Sequence, residues 1–530
     1  MTLATTALAL RLGRSTIVPR APTADADPAA SRVSRRRASA PLAVLLLIVL
    51  VLVIPGTFYA LTPHRGSNGT ELLLIYLITA LSGTRLSLLV AGARIRIFES
   101  VLWSFYYAFF GIAPLVQQVS RNWPSTTPDL PPGSVLGAGL IILVSAIALL
   151  SGSVVLPLRP LRPLRPLRPL RAGRRLWTQR GAAPAERIDL GGTVPRHRLW
   201  LAFAIFVAAG SVHYSHIGLS NIFESRQVTV GLKQGSYATA TEGVVFWALT
   251  SVPLLCLTIA LVLNWRRARP TPAGRVATVA VVMLTAVVFN PLSNARFVFG
   301  AGLLGLLGAF GAYATLTRFR LFVTGLLAGI VLVFPYIDVA RYARQDLAPA
   351  KGGPLQALTT GDFDAFAQTA NTWAYLQELG PTWGRQALGV ILFWVPRSAW
   401  ADKPEDTGAL IAHFRQYTFT NLSAPLPSEL MINFSWIGLI VICFLIGRGL
   451  LRLDLLVDRR LRIGSTGPTL SYVLPFYMII LLRGSLLQAM AFLVTILGCS
   501  WFLRFTGCAP VTLPARQFAS PTAKYSRSSQ

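Results

Sequence analysis

Along most of this chain, apolar residues fall in runs of roughly twenty, punctuated by short polar stretches. A bilayer core about 30 Å thick requires about 20 apolar residues of helix. The runs at 42–61, 71–91, 99–118, 135–156, 199–219, 243–263, 275–290, 297–316, 321–338, 429–447, 468–482 and 484–503 meet or approach that length. They predict an all-α integral membrane protein, a polytopic bundle of about 12 transmembrane helices with a large extracytoplasmic loop late in the chain. Arg85 falls inside the second run and is expected to snorkel or to face a polar interior. Composition agrees: of 530 residues, 53% are hydrophobic and 13% charged, against about 25% charged in a soluble domain.

Charge sets the expected orientation. Lys+Arg outnumber Asp+Glu by 49 to 20, and the excess gathers at 93–96, 157–198, 265–270, 317–320, 448–462 and the C-terminal tail. These are alternate connections, the pattern of cytoplasmic loops under the positive-inside bias. The distribution argues against nucleic-acid binding and predicts a cytoplasmic-membrane protein with both termini in the cytoplasm. Residues 1–40 read as a disordered basic tail, 41–503 as the membrane domain and 504–530 as a second tail; no small-residue cleavage site follows the first apolar run. Within the 157–198 loop, residues 157–171 are five copies of Pro-Leu-Arg, which forbids helix and favours an extended, solvated insert. Cys256, Cys443, Cys499 and Cys508 lack metal-ligand spacing.

The segment 339–428 is too long for a mere connection. Phe363, Phe366, Ala370, Trp373 and Leu376 recur at helical spacing between Asp362-Phe363-Asp364 and Gly380-Pro381. They predict an amphipathic helix on the membrane surface or on the bundle. Ala387 to Val395 is apolar but too short to span, and reads as a re-entrant or interfacial piece.

The expected outer face carries basic residues that the positive-inside bias does not explain: Arg226, Arg296, Arg341, Arg344, Arg397, Lys403 and Arg483. A guanidinium at membrane depth costs about 2.5–3.5 kcal/mol on insertion scales. A charge-assisted bond to an anion contributes about 1.5–3 kcal/mol. One phosphate can therefore offset one arginine, and arginine's planar fork matches phosphate oxygens. The pattern points to an outward basic cavity for a phosphorylated, lipid-borne ligand. Asp362-x-Asp364 has the form of a metal-binding DxD, but helix capping is the favoured reading. Glu429 is a candidate general base or, preferably, the ion-pair partner of an Arg or Lys. His213 and His216 are assigned to packing. No metal and no cofactor is predicted.

Five outer stretches, "FFGIAPLVQQ" (109–118), "FNPLSNARFVFG" (289–300), "VPRSAWADKPEDTG" (395–408), "SELMINFSWIG" (428–438) and "LLRGSL" (481–486), together resemble the Wzy-type O-antigen and oligosaccharide repeat-unit polymerases. The likeness covers roughly 99–490. The departures are the basic N-terminal extension, the Pro-Leu-Arg insert and Ser435, where the family's "NFG" pattern commonly has glycine. The resemblance implies a membrane glycosyltransferase that polymerises undecaprenyl-diphosphate-linked oligosaccharide at the outer face of the cytoplasmic membrane, with lipid diphosphate as leaving group. Its expected partners are that lipid-linked substrate, membrane lipid, and a chain-length regulator and flippase of the same pathway. On this reading Arg296, Arg341, Arg344, Arg397 and Arg483 contact the diphosphate or the transition state, and Arg226, Asn290, Asp402 and Lys403 belong to the substrate-binding set. Asn290 shapes a turn, Asp402 and Lys403 order a loop, and Glu429 is the base. The alternatives are an O-antigen ligase, for which His413 is the outer histidine, a polyprenyl-phosphate-dependent glycosyltransferase, and a lipid-linked oligosaccharide flippase.

Overall fold

The computed structural model describes residues 37–66, 68–127, 129–154, 188–189, 192–237, 239–268, 270–334, 354–462, 465–504 and 510–511. The Pro-Leu-Arg insert, Arg341 and Arg344 lie outside the described residues. The described chain is helical apart from a two-residue antiparallel pairing of Ile188–Asp189 with Pro510–Val511. Among the described residues, eight helices are long and apolar enough to cross a membrane: α1 (Ala40–Leu61), α2 (Gly69–Ala91), α3 (Ile97–Ser120), α4 (Ser134–Val154), α5 (Arg196–Ile217), α7 (Glu242–Arg267), α10 (Leu316–Val333) and α14 (Leu426–Arg462). Four shorter apolar helices, α8 (Pro272–Val288), α9 (Arg296–Phe310), α15 (Leu470–Arg483) and α16 (Leu486–Phe502), occupy the remaining predicted runs. Between them lie α6 (Arg226–Ser236), α11 (Ala365–Glu378), α12 (Arg385–Ile391) and α13 (Thr407–Phe414).

Hydrogen bonds sort the helix ends into two sets. At one end, Asp454 on α14 accepts from the N–H groups of Phe98 and Glu99 at the start of α3, and Asp458 accepts from Ile95 N–H. Orphan N–H groups at a helix start need acceptors, and here a distant helix supplies them. Arg85 pairs with Glu99, as does Arg96, so Arg85 faces a polar interior. Arg320 binds the carbonyls that end α2, Arg266 that of Ala309, and Arg198 that of Phe502. This is the arginine-rich end.

The opposite end gathers the segments 62–66, 117–127, 129–133, 218–237, 289–296, 354–429 and 483–488, as cross-bonds such as Arg65 N–H to Val119, Thr229 to Ser293 and Arg483 to Asp362 attest. The described part of the long late segment is a packed cap rather than a loop. α11 lies against α4 and is buried along most of its length, with polar Gln368, Thr369, Asn371 and Thr372 buried beside Phe366 and Ala370. A methyl added at Gly137 of α4 would meet the Trp373 ring at 2.2 Å, so α4 is cut away to receive the cap. The periodicity therefore marked a helix on the bundle.

α4 and α14 cross at backbone distance. A methyl on Gly152 would sit 2.1 Å from the Phe444 carbonyl oxygen, and one on Gly447 2.1 Å from that of Leu149. Small residues are what such close helix approach requires in a membrane. Ser435 breaks α14 with φ 55 and ψ −159, a conformation favouring glycine.

Candidate functional site

Two arginines from separate helices converge on one turn at the cap end. Arg296, the first residue of α9, forms an ion pair with Asp362. Arg483, the last residue of α15, pairs with Asp364 at 3.0 Å. It also donates to the carbonyls of Asp362 at 2.9 Å and Gly361 at 2.7 Å. Its C-terminal position on the helix suits a cation, because the macrodipole is negative there. Aromatic rings wall the cluster: Phe334 lies 5.2 Å under the Arg296 guanidinium and Phe297 4.9 Å under that of Arg483. Phe363 stacks on Phe109 at 4.9 Å. Gln117, fully buried on α3, fixes the turn by donating to the Leu358 and Phe363 carbonyls.

This arrangement corrects the reading of Asp362 and Asp364. Asp364 stands at the start of α11 but makes no side-chain cap bond; both carboxylates neutralise arginines instead. A charge this buried is costly without a partner, and the arginines were too far away in sequence to be foreseen as partners. Burial pushes the Asp364 carboxyl up, while Arg483 works against that rise. Arg483 Nη1 makes no bond among the described residues, which leaves part of its donor fork for an added anion.

Glu429 needs a second correction. Instead of meeting an Arg or Lys, its buried carboxylate accepts from the Thr407 hydroxyl at 2.7 Å and from Leu486 N–H at 3.0 Å. Leu486 begins α16, so Glu429 serves as an acceptor at that helix's positive end. Nearby, Asp406 caps α13 by accepting from Ala409 N–H. Burial raises the Asp406 carboxyl, against the opposing pull of donors that include Gln488.

The loop containing Arg397 is stitched by carbonyls. Lys403, largely buried, donates to the Phe393 and Val395 carbonyls at 2.8 Å each, and Arg397 donates back to those of Lys403 and Pro404. Burial and then Arg397 lower the Lys403 ammonium from its ordinary range. Asp402 is exposed, and its contribution to the loop is a backbone carbonyl that accepts from Arg385. Asn290 ties its own turn through the N–H groups of Leu292 and Ser293, and reaches across to the Ile222 carbonyl. Arg226 is the first residue of α6, four positions after Ile222. His213 donates to or accepts from Tyr237 and stacks near Trp247, an aromatic packing role. His413 is exposed and pairs with Glu405 at 2.9 Å.

Sequence reasoning missed Lys233. It is half-buried with its ammonium 4.7 Å over the Trp247 ring, and burial followed by Arg226 brings it down to about 8. Its spacing of seven from Arg226 on a short helix was the available signal. Two cavities lie elsewhere among the helices. One, of about 170 Å³, is lined by Phe289, Val298, Tyr477, Ser485 and Gln488. The other, of about 360 Å³, is apolar and lies between α1, α2, α3 and α10, with Phe58, Leu86, Tyr107 and Val331 among its walls. Comparison of the chain with protein-family models, characterised proteins and solved structures gives no match.

Proposed function

We infer that this protein polymerises undecaprenyl-diphosphate-linked oligosaccharide repeat units at the outer face of the cytoplasmic membrane. On this reading all twelve apolar helices span, both termini are cytoplasmic, and 339–428 is the extracytoplasmic segment. The four short helices of 14–17 residues reach about 21–26 Å at 1.5 Å per residue, and their polar end turns complete the crossing. The observation that supports the reading best is the meeting of Arg296 and Arg483 on one buried turn, at the end of the bundle opposite the basic loops. Phe109, Gln117, Arg296 and Arg483, from three of the five stretches that resemble the polymerases, meet at that turn, while the Arg397 loop and Glu429 belong to the same cap end.

In the proposed reaction an acceptor sugar hydroxyl attacks the anomeric carbon of the lipid-linked chain. The C–O bond to the diphosphate breaks, and the lipid diphosphate leaves with the electron pair. Arg483, through its unused Nη1, and the exposed Arg397 stabilise the developing charge, as preorganised donors do. Glu429 accepts the hydroxyl proton once Thr407 yields its place on the carboxylate. The 360 Å³ apolar groove offers room for part of the lipid chain. A flippase and a chain-length regulator are the expected partners. The exposed His413–Glu405 pair supports a second reading, an O-antigen ligase.

The test is a strain lacking this protein, with surface polysaccharide and lipid-linked intermediates resolved by size. Collapse of the ladder to single units, with lipid-linked monomer accumulating outside, is expected. Intact lipid-linked polymer that is never attached would indicate the ligase, and monomer trapped inside would indicate a transporter.

A further inference from the structure

Between the end of α11 and the Arg397 loop, the chain exposes Leu379, Trp383, Leu388, Ile391 and Trp394, with Trp383 75% and Ile391 and Trp394 each 66% exposed. The opposite side of α12 is anchored, since Gln386 and Gly389 are buried. Two bonds fix the height of the segment on the bundle. Thr382 N–H donates to the Ile432 carbonyl at 2.7 Å, and Ala387 N–H to Asn433 Oδ1 at 2.7 Å. Both lie just before the Ser435 break. Immediately after it begins the outward strip of α14, Ile437, Ile440, Val441 and Leu445, with Ile437 79% exposed. The exposed apolar residues of 379–394 are therefore held beside the start of the exposed apolar strip of α14.

We propose that residues 379–397 form a wedge in the outer leaflet of the bilayer, with Trp383, Leu388, Ile391 and Trp394 at the boundary of the acyl chains, Arg385 at phospholipid phosphates and Arg397 held at that same depth. Three features favour lipid over a protein partner. The surface lies beside the start of the exposed apolar strip of α14, so a protein seated on it would have to displace bilayer. Its largest groups are tryptophans, which settle at the membrane–water boundary. The cations that follow bind only carbonyls: Arg397 those of Lys403 and Pro404, Arg385 that of Asp402. No carboxylate competes with a phosphate for either among the described residues. The wedge goes beyond the polymerase reading by giving the Arg397 loop a fixed depth, at the level where any lipid-borne phosphate lies.

The test uses the full-length protein in nanodiscs made with two photoreactive phosphatidylglycerols, one carrying a diazirine at the acyl tail and one at the headgroup, with cross-links mapped by peptide mass spectrometry. The tail probe is expected to mark 379–394 together with the α14 strip from Ile437, which is its internal control. The headgroup probe is expected to mark Arg385 and 395–403. Tail labelling of α14 without 379–394 would overturn the proposal, as would headgroup labelling of Trp383, Leu388, Ile391 and Trp394 in place of Arg385 and 395–403. No glycosyl transfer is needed for the readout, so failure of the wedge and failure of the polymerase reading are distinguishable.

Discussion

Removing the Arg483 guanidinium is the sharpest perturbation of the cluster. Arg483→Ala takes the partner from Asp364, whose side chain is 3% exposed, and the donor from two backbone carbonyls. Breaking a buried pair from one side costs about 3–5 kcal/mol. The Arg483 side chain retains 19% exposure, so water reaches part of the gap and about 3 kcal/mol is the expected loss. Asp364→Asn in the same chain removes the stranded charge, so the double variant is expected to recover at least about 1 kcal/mol of coupling. The pH dependence follows from the direction of the Asp364 shift. Its folded-state carboxyl is raised by burial, so the folded state binds the proton more tightly and stability falls as pH rises through that range. Without Arg483 the rise is larger. The Arg483→Ala deficit is therefore full at neutral pH and shrinks as Asp364 is protonated in acid. The assay is reversible denaturation in mixed micelles for wild type, both single variants and the double variant, at neutral and acid pH. Strict additivity of the two substitutions, or a deficit that does not change with pH, would refute the pairing as the source of the loss.

Two further substitutions probe the frame that holds the site. Ser435→Gly relieves a backbone conformation costing about 1–3 kcal/mol in a non-glycine residue, offset by about 0.5–1 kcal/mol of added unfolded-state entropy. A net gain of about 1 kcal/mol in the same denaturation assay is expected, and a loss would contradict the strained geometry. Gly447→Leu drives a side chain into the Leu149 carbonyl, so a loss of at least about 3 kcal/mol, beyond the usual cost of overpacking, is expected as a failure to elute monodisperse in size-exclusion chromatography. The same change at Gly449, where a methyl meets nothing within 4 Å, should be tolerated and serves as the control.

How much was legible beforehand depended on the range of the interaction. The apolar runs set where helices form, because hydrocarbon satisfies no backbone group and only continuous helix does so internally. The placement of α1 through α5, and of α11 with its aromatic stripe, followed from spacing alone. The rank of Arg296 and Arg483 as unusual residues was equally visible, since charge in an apolar context is costly wherever it falls. Their partners were not visible: Asp364 lies 119 residues from Arg483, and no periodicity spans that gap. The same limit explains Glu429. Sequence could mark a carboxylate at a helix mouth, but only the packing of α14 against α16 decided that a helix N-terminus, rather than a guanidinium, would meet it. The glycine-like conformation of Ser435 and the position of 379–394 beside α14 were likewise decided by tertiary structure, because each depends on where one segment is held against another. Local hydrophobicity determined the helices, and long-range packing determined which buried charge answers which.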